Sequence, residues 1–206
     1  MPISLPTEIQ TLQISDEVNK TIYYPRVFLT HNQELEQAIN RSIVLKTQQL
    51  IDQQVGDSPT TLEEMLGYFE IKNNQRDVLS FTFTNYAYRY HAAHGMTFIN
   101  SLTYDLKKQK PCELKDLFKP GSNYVERLSQ LIQEQIKQRD IQLINEFKEI
   151  APNQDYYIAD KTLVIYFQLY DITPYVFGFP MFPISVYNIQ DIIVEDGPLG
   201  RMAENN

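Results

Sequence analysis

The stretch "DVLSFTFTNYAYRYHAAHGMTFINSLTYDL", residues 77–106, contains two period-2 runs joined by a short connector. That alternation reads as two β-strands, and it sets the fold class. In the first run Leu79, Phe81 and Phe83 share one parity, while Tyr86, Tyr88 and Tyr90 share the other. A strand cannot change parity without moving its apolar face, so the pattern predicts a bulge or bend near Thr84–Asn85. In the second run Met96, Phe98, Leu102, Tyr104 and Leu106 lie on one face, with Thr97, Ser101, Thr103 and Asp105 on the other. "HAAHG" (91–95) is then a tight connection between antiparallel strands, with Gly95 available for a positive φ.

Outward from this pair, "LEEMLGYFEIKNN" (62–74) reads as a preceding strand, with "NNQRD" (73–77) as its hairpin loop. Upstream, Asn32 is an expected N-cap, and Leu35, Ile39, Ile43, Lys46 and Leu50 recur at helical spacing. The spacing predicts a helix over about Gln33 to Gln54, broken by "GDSPTT". "KTIYYPRVFL" (20–29) is β-rich, and Pro25 suits an edge strand or a strand end. Residues 1–19 are expected to add one strand.

Downstream, Ser122 is expected to cap a second helix, with a stripe of Tyr124, Leu128, Leu131, Ile132 and Ile136. The stripe resumes through Ile144, Phe147 and Ile150 after a break near Asp140. "DYYIADKTLVIYFQLY" (155–170) reads as a hairpin whose second arm is apolar on both faces, as a central strand would be. "YDITPYVFGFPMFP" (170–183) is an irregular aromatic loop, and "ISVYNIQDII" (184–193) contains a last strand. The expectation is an α+β protein with one mainly antiparallel β-sheet and two long amphipathic helices. Residues 1–60 form its N-terminal strand-plus-helix unit, 61–195 the main domain, and 196–206 a mobile tail.

The chain has 206 residues, enough to bury a substantial core, and composition is ordinary for a globular protein: 43% hydrophobic and 21% charged. The formal charge of −8 repels phosphate backbones and argues against a nucleic-acid partner. It either favours a basic protein partner or serves solubility. Cys112 is the only cysteine, which rules out an internal disulfide and a CxxC pair. Its setting, "KPCELKDLF", reads as a packed small residue. No apolar run approaches the ~20 residues that span a bilayer. The first twenty residues carry no basic-then-apolar leader pattern, so the chain taken literally stays in the cytoplasm.

No motif of hydrolytic, nucleotide-binding or metal chemistry is present: HExxH, GxSxG, the P-loop and GxGxxG are all missing. His91 and His94 straddle a strand end and a turn with no acid at metal-ligand spacing, so they are expected to shape the turn. Carboxylate pairs such as Glu63–Glu64 and Glu113 with Asp116 read as solvated faces. Asn19-Lys-Thr and Asn40-Arg-Ser match the glycosylation sequon, a match common by chance. No cofactor is expected. The aromatic loop is the strongest positive feature, with Tyr170, Tyr175, Phe177, Phe179 and Phe182 crowding around Pro174, Pro180 and Pro183 and Gly178 between them. Such a loop either covers the core or offers rigid aromatic area to a partner.

"YHAAHG" (90–95), followed by "TYDLKKQKPCELKDLFKPGSNYVERLSQLIQEQI" (103–136), resembles the C-terminal domain of RsiV-type anti-sigma factors. The same domain accompanies the catalytic domain of PdaC-type peptidoglycan deacetylases. The resemblance runs through Ala93-His94-Gly95, Asp105 to Tyr124, Leu163 to Phe167, and Tyr170 to Ile184. Tyr24-Pro25 and Ile39-Asn40 are similar to the small domain that often precedes it. It implies an extracytoplasmic, cell-envelope module of Gram-positive bacteria, which in the RsiV type binds lysozyme. The deacetylase's "TFDDGP"-like run and HxxxH spacing do not occur here, so its hydrolytic activity is not carried over.

The resulting expectation is a noncatalytic binding or sensing module for a lysozyme-like basic protein or a cell-wall glycan. Its contact residues would be His94, Gly95, Pro174, Tyr175, Phe177, Gly178 and Phe179. The alternatives are an enzyme on cell-wall glycan, which needs an imidazole facing a carboxylate, and a structural or assembly role.

Overall fold

In the computed structural model, residues 7–16, 19–56 and 61–204 are described. A six-stranded sheet runs in the order β1 (Glu8–Ser15), β2 (Lys20–Phe28), β3 (Leu62–Gln75), β4 (Val78–Arg89), β5 (Met96–Asp105) and β6 (Lys110–Pro111). Only β2 and β3 run parallel. Between them lies α1 (Gln33–Val55), which starts as the sequence predicts: the Asn32 side chain accepts from the Leu35 amide. The helix lays Leu35, Ile39, Ile43 and Leu50 on Leu79, Phe81 and Phe83 of β4 and Leu102 and Tyr104 of β5. Its C-terminal carbonyls at Gln54 and Val55 accept from the Arg89 guanidinium at the end of β4.

The fold class is α+β as expected, but the strands form two sheets. β7 (Tyr156–Ala159), β8 (Thr162–Tyr166) and β9 (Met181–Ser185) make a separate three-stranded sheet with β8 at its centre. One face of β8, Leu163 and Ile165, shares a core with Leu128 and Ile132 of α2 (Tyr124–Gln138). The other, Val164 and Tyr166, packs on Ile99 of β5. The layers are therefore α1, large sheet, small sheet and α2. The two sheets meet through hydroxyls as well: Ser80 Oγ accepts from the Ile158 amide at 3.1 Å, and Ser101 Oγ donates to the Tyr156 carbonyl at 2.6 Å. Those serines follow the polar parity of β4 and β5, so the "outer" face of the hairpin is buried against a second sheet.

This explains a difference at Thr84–Asn85. No bulge occurs there: β4 pairs without interruption from Val78 to Ala87 on the β5 side. The irregularities lie on β3, at Leu62/Glu64 and Ile71/Asn73. β4 needs no shift because it is covered on both faces, so large side chains of either parity find cover. The β3–β4 hairpin closes on Arg76 and Asp77, both at positive φ (53° and 55°), a two-residue turn made without glycine. Pro25 stands on β2 beyond Ile22, the last residue paired with β3, where no neighbour on that side requires its missing N–H.

Three further expectations change. Asn123, not Ser122, is the N-cap of α2, and no side chain caps it. The helix ends at Gln138, and Ile141, Phe147 and Ile150 reach the core from an irregular segment. Residues expected in a mobile tail instead form α3 (Pro198–Ala203), with Leu199 and Met202 fully buried. Arg201 is 7% exposed, and its guanidinium donates to Asp105, itself fully buried, at 2.7 Å. It also reaches the Arg76 and Asp196 carbonyls, while Arg76 reaches the Arg201 carbonyl. The segment has few apolar residues, and this buried ion pair helps Leu199 and Met202 to hold it in place.

Candidate partner-binding site at the His94–Gly95 turn

The connection from β4 to β5 is built by residues 90–95. The Ala92 amide donates to the Arg89 carbonyl at 3.0 Å, and the Tyr88 hydroxyl donates to the Ala92 carbonyl at 3.1 Å. The left-handed residue is His91 (φ 63°), not Gly95. Gly95 is needed for a different reason: a Cβ there would stand 2.1 Å from the Tyr86 ring. Tyr86 reaches Gly95 from β4, on the strand parity opposite to that of Leu79, Phe81 and Phe83.

Against this turn stands the loop between β8 and β9. Its root is clamped to β5 by Gln168, whose side chain accepts from the Ile99 amide at 3.1 Å and donates to the Ile99 carbonyl at 2.7 Å. Gln168 also donates to Asp155 at 3.1 Å. Burial pushes the Asp155 carboxyl above its ordinary pKa, and the Gln168 bond and Lys46 oppose that shift. Tyr170 then takes a positive φ of 69°, and a single 3-10 turn covers Tyr175–Phe177 between Pro174 and Gly178 (φ 78°).

The two segments close on each other. The Tyr175 hydroxyl donates to the Gly95 carbonyl at 3.1 Å, and the His94 and Tyr175 rings stack with centroids 4.2 Å apart. His94 Nδ1 lies 2.9 Å from the same carbonyl, and its Nε2 is 3.4 Å from the Tyr170 hydroxyl. Desolvation, then Glu64, Tyr175 and Tyr88, push the Tyr86 phenol above its usual pKa. His91 sits against the Tyr90 ring at 3.8 Å. The neighbours of both imidazoles are thus aromatic rings, a tyrosine hydroxyl and backbone. Among the described residues, no group of three or more His, Cys, Asp and Glu side chains is arranged to hold a metal ion.

The sequence-derived residues separate into distinct places. His94, Gly95 and Tyr175 form the junction, with Pro174 and Gly178 framing the 3-10 turn. Phe177 is 39% exposed. Phe179 instead packs inward beside Met181 against Ile99, Tyr157 and Val164. Sequence reasoning missed Tyr86 and Val176. The parity of Tyr86 was the signal for the first. Nothing marked Val176, 92% exposed at the loop tip.

A family model described as "Protein of unknown function (DUF3298)" matches residues 115–187, from the segment before α2 through the small sheet. The anti-sigma-V factor RsiV of Bacillus subtilis (strain 168) is 26% identical over 200 residues, covering 91% of this chain and 70% of that protein. Two solved structures share the fold. A DUF3298 member from Bacteroides fragilis superposes with a TM-score of 0.69 at 14% identity, covering 96% of this chain and 97% of that one. A DUF3298 family protein from Pseudomonas aeruginosa PAO1 gives 0.60 at 16% identity, covering 94% and 96%. Residues 115–187 thus match the DUF3298 model, and the chain is similar to RsiV along most of its length.

Proposed function

We propose that this chain is a noncatalytic binding module that grips a protein ligand with the surface made by the His94–Gly95 turn and the 170–178 loop. The observation that carries this reading is the Tyr175 junction: one ring stacks on His94 while its hydroxyl holds the Gly95 carbonyl. The loop is thereby fixed with Val176 and Phe177 outward. Apolar side chains held rigid before contact lose little entropy on binding, which is what an interface anchor requires. The relative's description as an anti-sigma factor supports a regulatory, ligand-sensing role.

The ligand we favour is a basic, lysozyme-like protein. A chain of formal charge −8 attracts such a partner at long range, and salt screens that attraction beyond about 10 Å at 0.1 M. The envelope setting implied by the resemblance belongs to the same proposal. The enzyme reading needs a carboxylate facing an imidazole, and the observed neighbours of His91 and His94 do not favour it.

The test is isothermal titration of the purified chain with hen egg-white lysozyme at low and high salt. Saturable heat that weakens with salt, and that is lost in Val176→Asp/Phe177→Asp, is the expected result. Absence of heat at micromolar concentration in low salt, or retention of binding by the double variant, would overturn the proposal.

A further inference from the structure

A second feature lies away from that junction, between the β1–β2 pair and α1. Helix α1 packs on β2, β4 and β5, and residues of its flank line a cleft together with residues of the β1–β2 pair. Between them lies an open cavity of about 710 Å³. Its walls are Leu12, Tyr24 and Pro25 from the strands and Val44 and Leu45 from the helix. Val44 and Leu45 are 52% and 62% exposed, and they lie outside the Leu35–Ile39–Ile43 stripe that α1 gives to the core.

The polar lining divides into used and unused groups. Asn40 is fully engaged: it accepts from the Val27 amide at 2.9 Å and donates to the Val27 carbonyl at 2.8 Å. That role also explains why asparagine stands at this sequon. Glu36 accepts from the Leu29 amide at 2.8 Å. Arg26 and Arg41 are different. Arg26 lies over the Phe28 ring at 5.0 Å, and Arg41 donates only through Nε to the Gln37 carbonyl at 3.3 Å. Among the described residues neither forms an ion pair with a carboxylate. Two arginines without acidic partners are notable in a chain whose acids outnumber its bases 26 to 18.

Size decides between a protein and a small molecule. Ten residues line the cavity. A standard protein interface uses roughly 20–30 residues a side, whereas small-ligand pockets measure about 300–1,000 Å³ and are mostly apolar with a few polar groups. We propose that this cavity binds a single-chain acyl anion, its hydrocarbon along Leu12, Tyr24, Val44 and Leu45 and its head group at Arg26 and Arg41. Guanidinium suits a carboxylate or phosphate head because its N–H groups can meet two oxygens at once. The occupant is a free amphiphile; a bilayer surface is a competing outcome.

The experiment displaces a dansyl-labelled undecanoate with dodecanoate, dodecanol or dodecyltrimethylammonium, each below its micellar concentration. Dodecanoate is expected to compete at one saturable site, about tenfold or more better than the cationic amphiphile, the scale of a lost charge-assisted hydrogen bond. Arg26→Gln/Arg41→Gln should remove that preference, and Leu45→Glu should abolish dodecanoate binding. Both substitutions are on exposed positions, and circular dichroism melts establish that the variants fold. Arg139→Gln, on the far side of the molecule, should bind as the parent chain does. Four outcomes overturn the proposal: no displacement, equal competition by the cation, vesicle capture by phosphatidylglycerol without monomer binding, or an acidic amphipathic peptide that binds and is not displaced by dodecanoate.

Discussion

Tyr175 and Gly95 are 80 positions apart in sequence, yet the tyrosine hydroxyl donates directly to the glycine carbonyl at 3.1 Å. This bond joins a loop of the small sheet to a corner of the large one. Tyr175→Phe keeps the ring and its stack on His94 and removes only the donor. The expected loss is about 1 kcal/mol of stability. Amide exchange at residues 170–178 should accelerate more than exchange in α1, as mass spectrometry on the exchanged chain can read.

Gly95→Ala tests a close approach and not a backbone angle, since the added carbon would meet the Tyr86 ring. We expect a loss of about 1–3 kcal/mol in urea unfolding, the usual cost of overpacking. Combining it with Tyr86→Ala should recover part of that loss, so the double-mutant cycle would show a favourable coupling. Strict additivity would mean that the ring is not what restricts the position.

Among the described residues, the Arg201–Asp105 pair is the ion pair whose two side chains are both buried. Removing one member leaves a buried charge without its partner, at a cost of about 3–5 kcal/mol. Arg201→Met and Asp105→Asn should each lower the urea midpoint strongly. The double variant should be less destabilised than the sum of the two. Gly200→Ala should be severe as well, because its added carbon would sit 1.9 Å from the Glu195 carbonyl oxygen.

Burial pushes the Cys112 thiol up to about 11. At pH 8 only about one molecule in a thousand carries the thiolate, the reactive form. Iodoacetamide should therefore label the native chain far more slowly than the urea-unfolded chain. The sign for stability follows from proton counting. Between the ordinary thiol value near 9.0 and about 11, the unfolded chain has released the proton and the folded chain has kept it. The unfolded state binds fewer protons there, so stability falls as pH rises through that window. Cys112→Ala should flatten the fall.

Much of this was legible from local pattern. Asn32 and the Leu35–Ile39–Ile43 spacing placed α1, and the alternation in β4 and β5 placed the central hairpin. What pattern could not supply was tertiary cover. The parity change at Thr84–Asn85 looked like a bulge because one strand was judged by one buried face, whereas the small sheet covers the other. The 196–206 segment reads as mobile because Arg201 looks solvated until Asp105, 96 positions earlier, is found beneath it. At the candidate site, "AHG" and the aromatic loop were each visible, but only the fold shows that one tyrosine touches both.

The position of Arg201 along the chain also has a consequence for synthesis. A nascent chain that has emerged only as far as Asp196 contains every strand of both sheets, yet its Asp105 carboxylate has no cation and the Leu199 and Met202 sites are empty. Docking of α3 supplies the missing cation and fills both sites. A variant truncated after Asp196 should therefore be more protease-sensitive than a chain that retains α3.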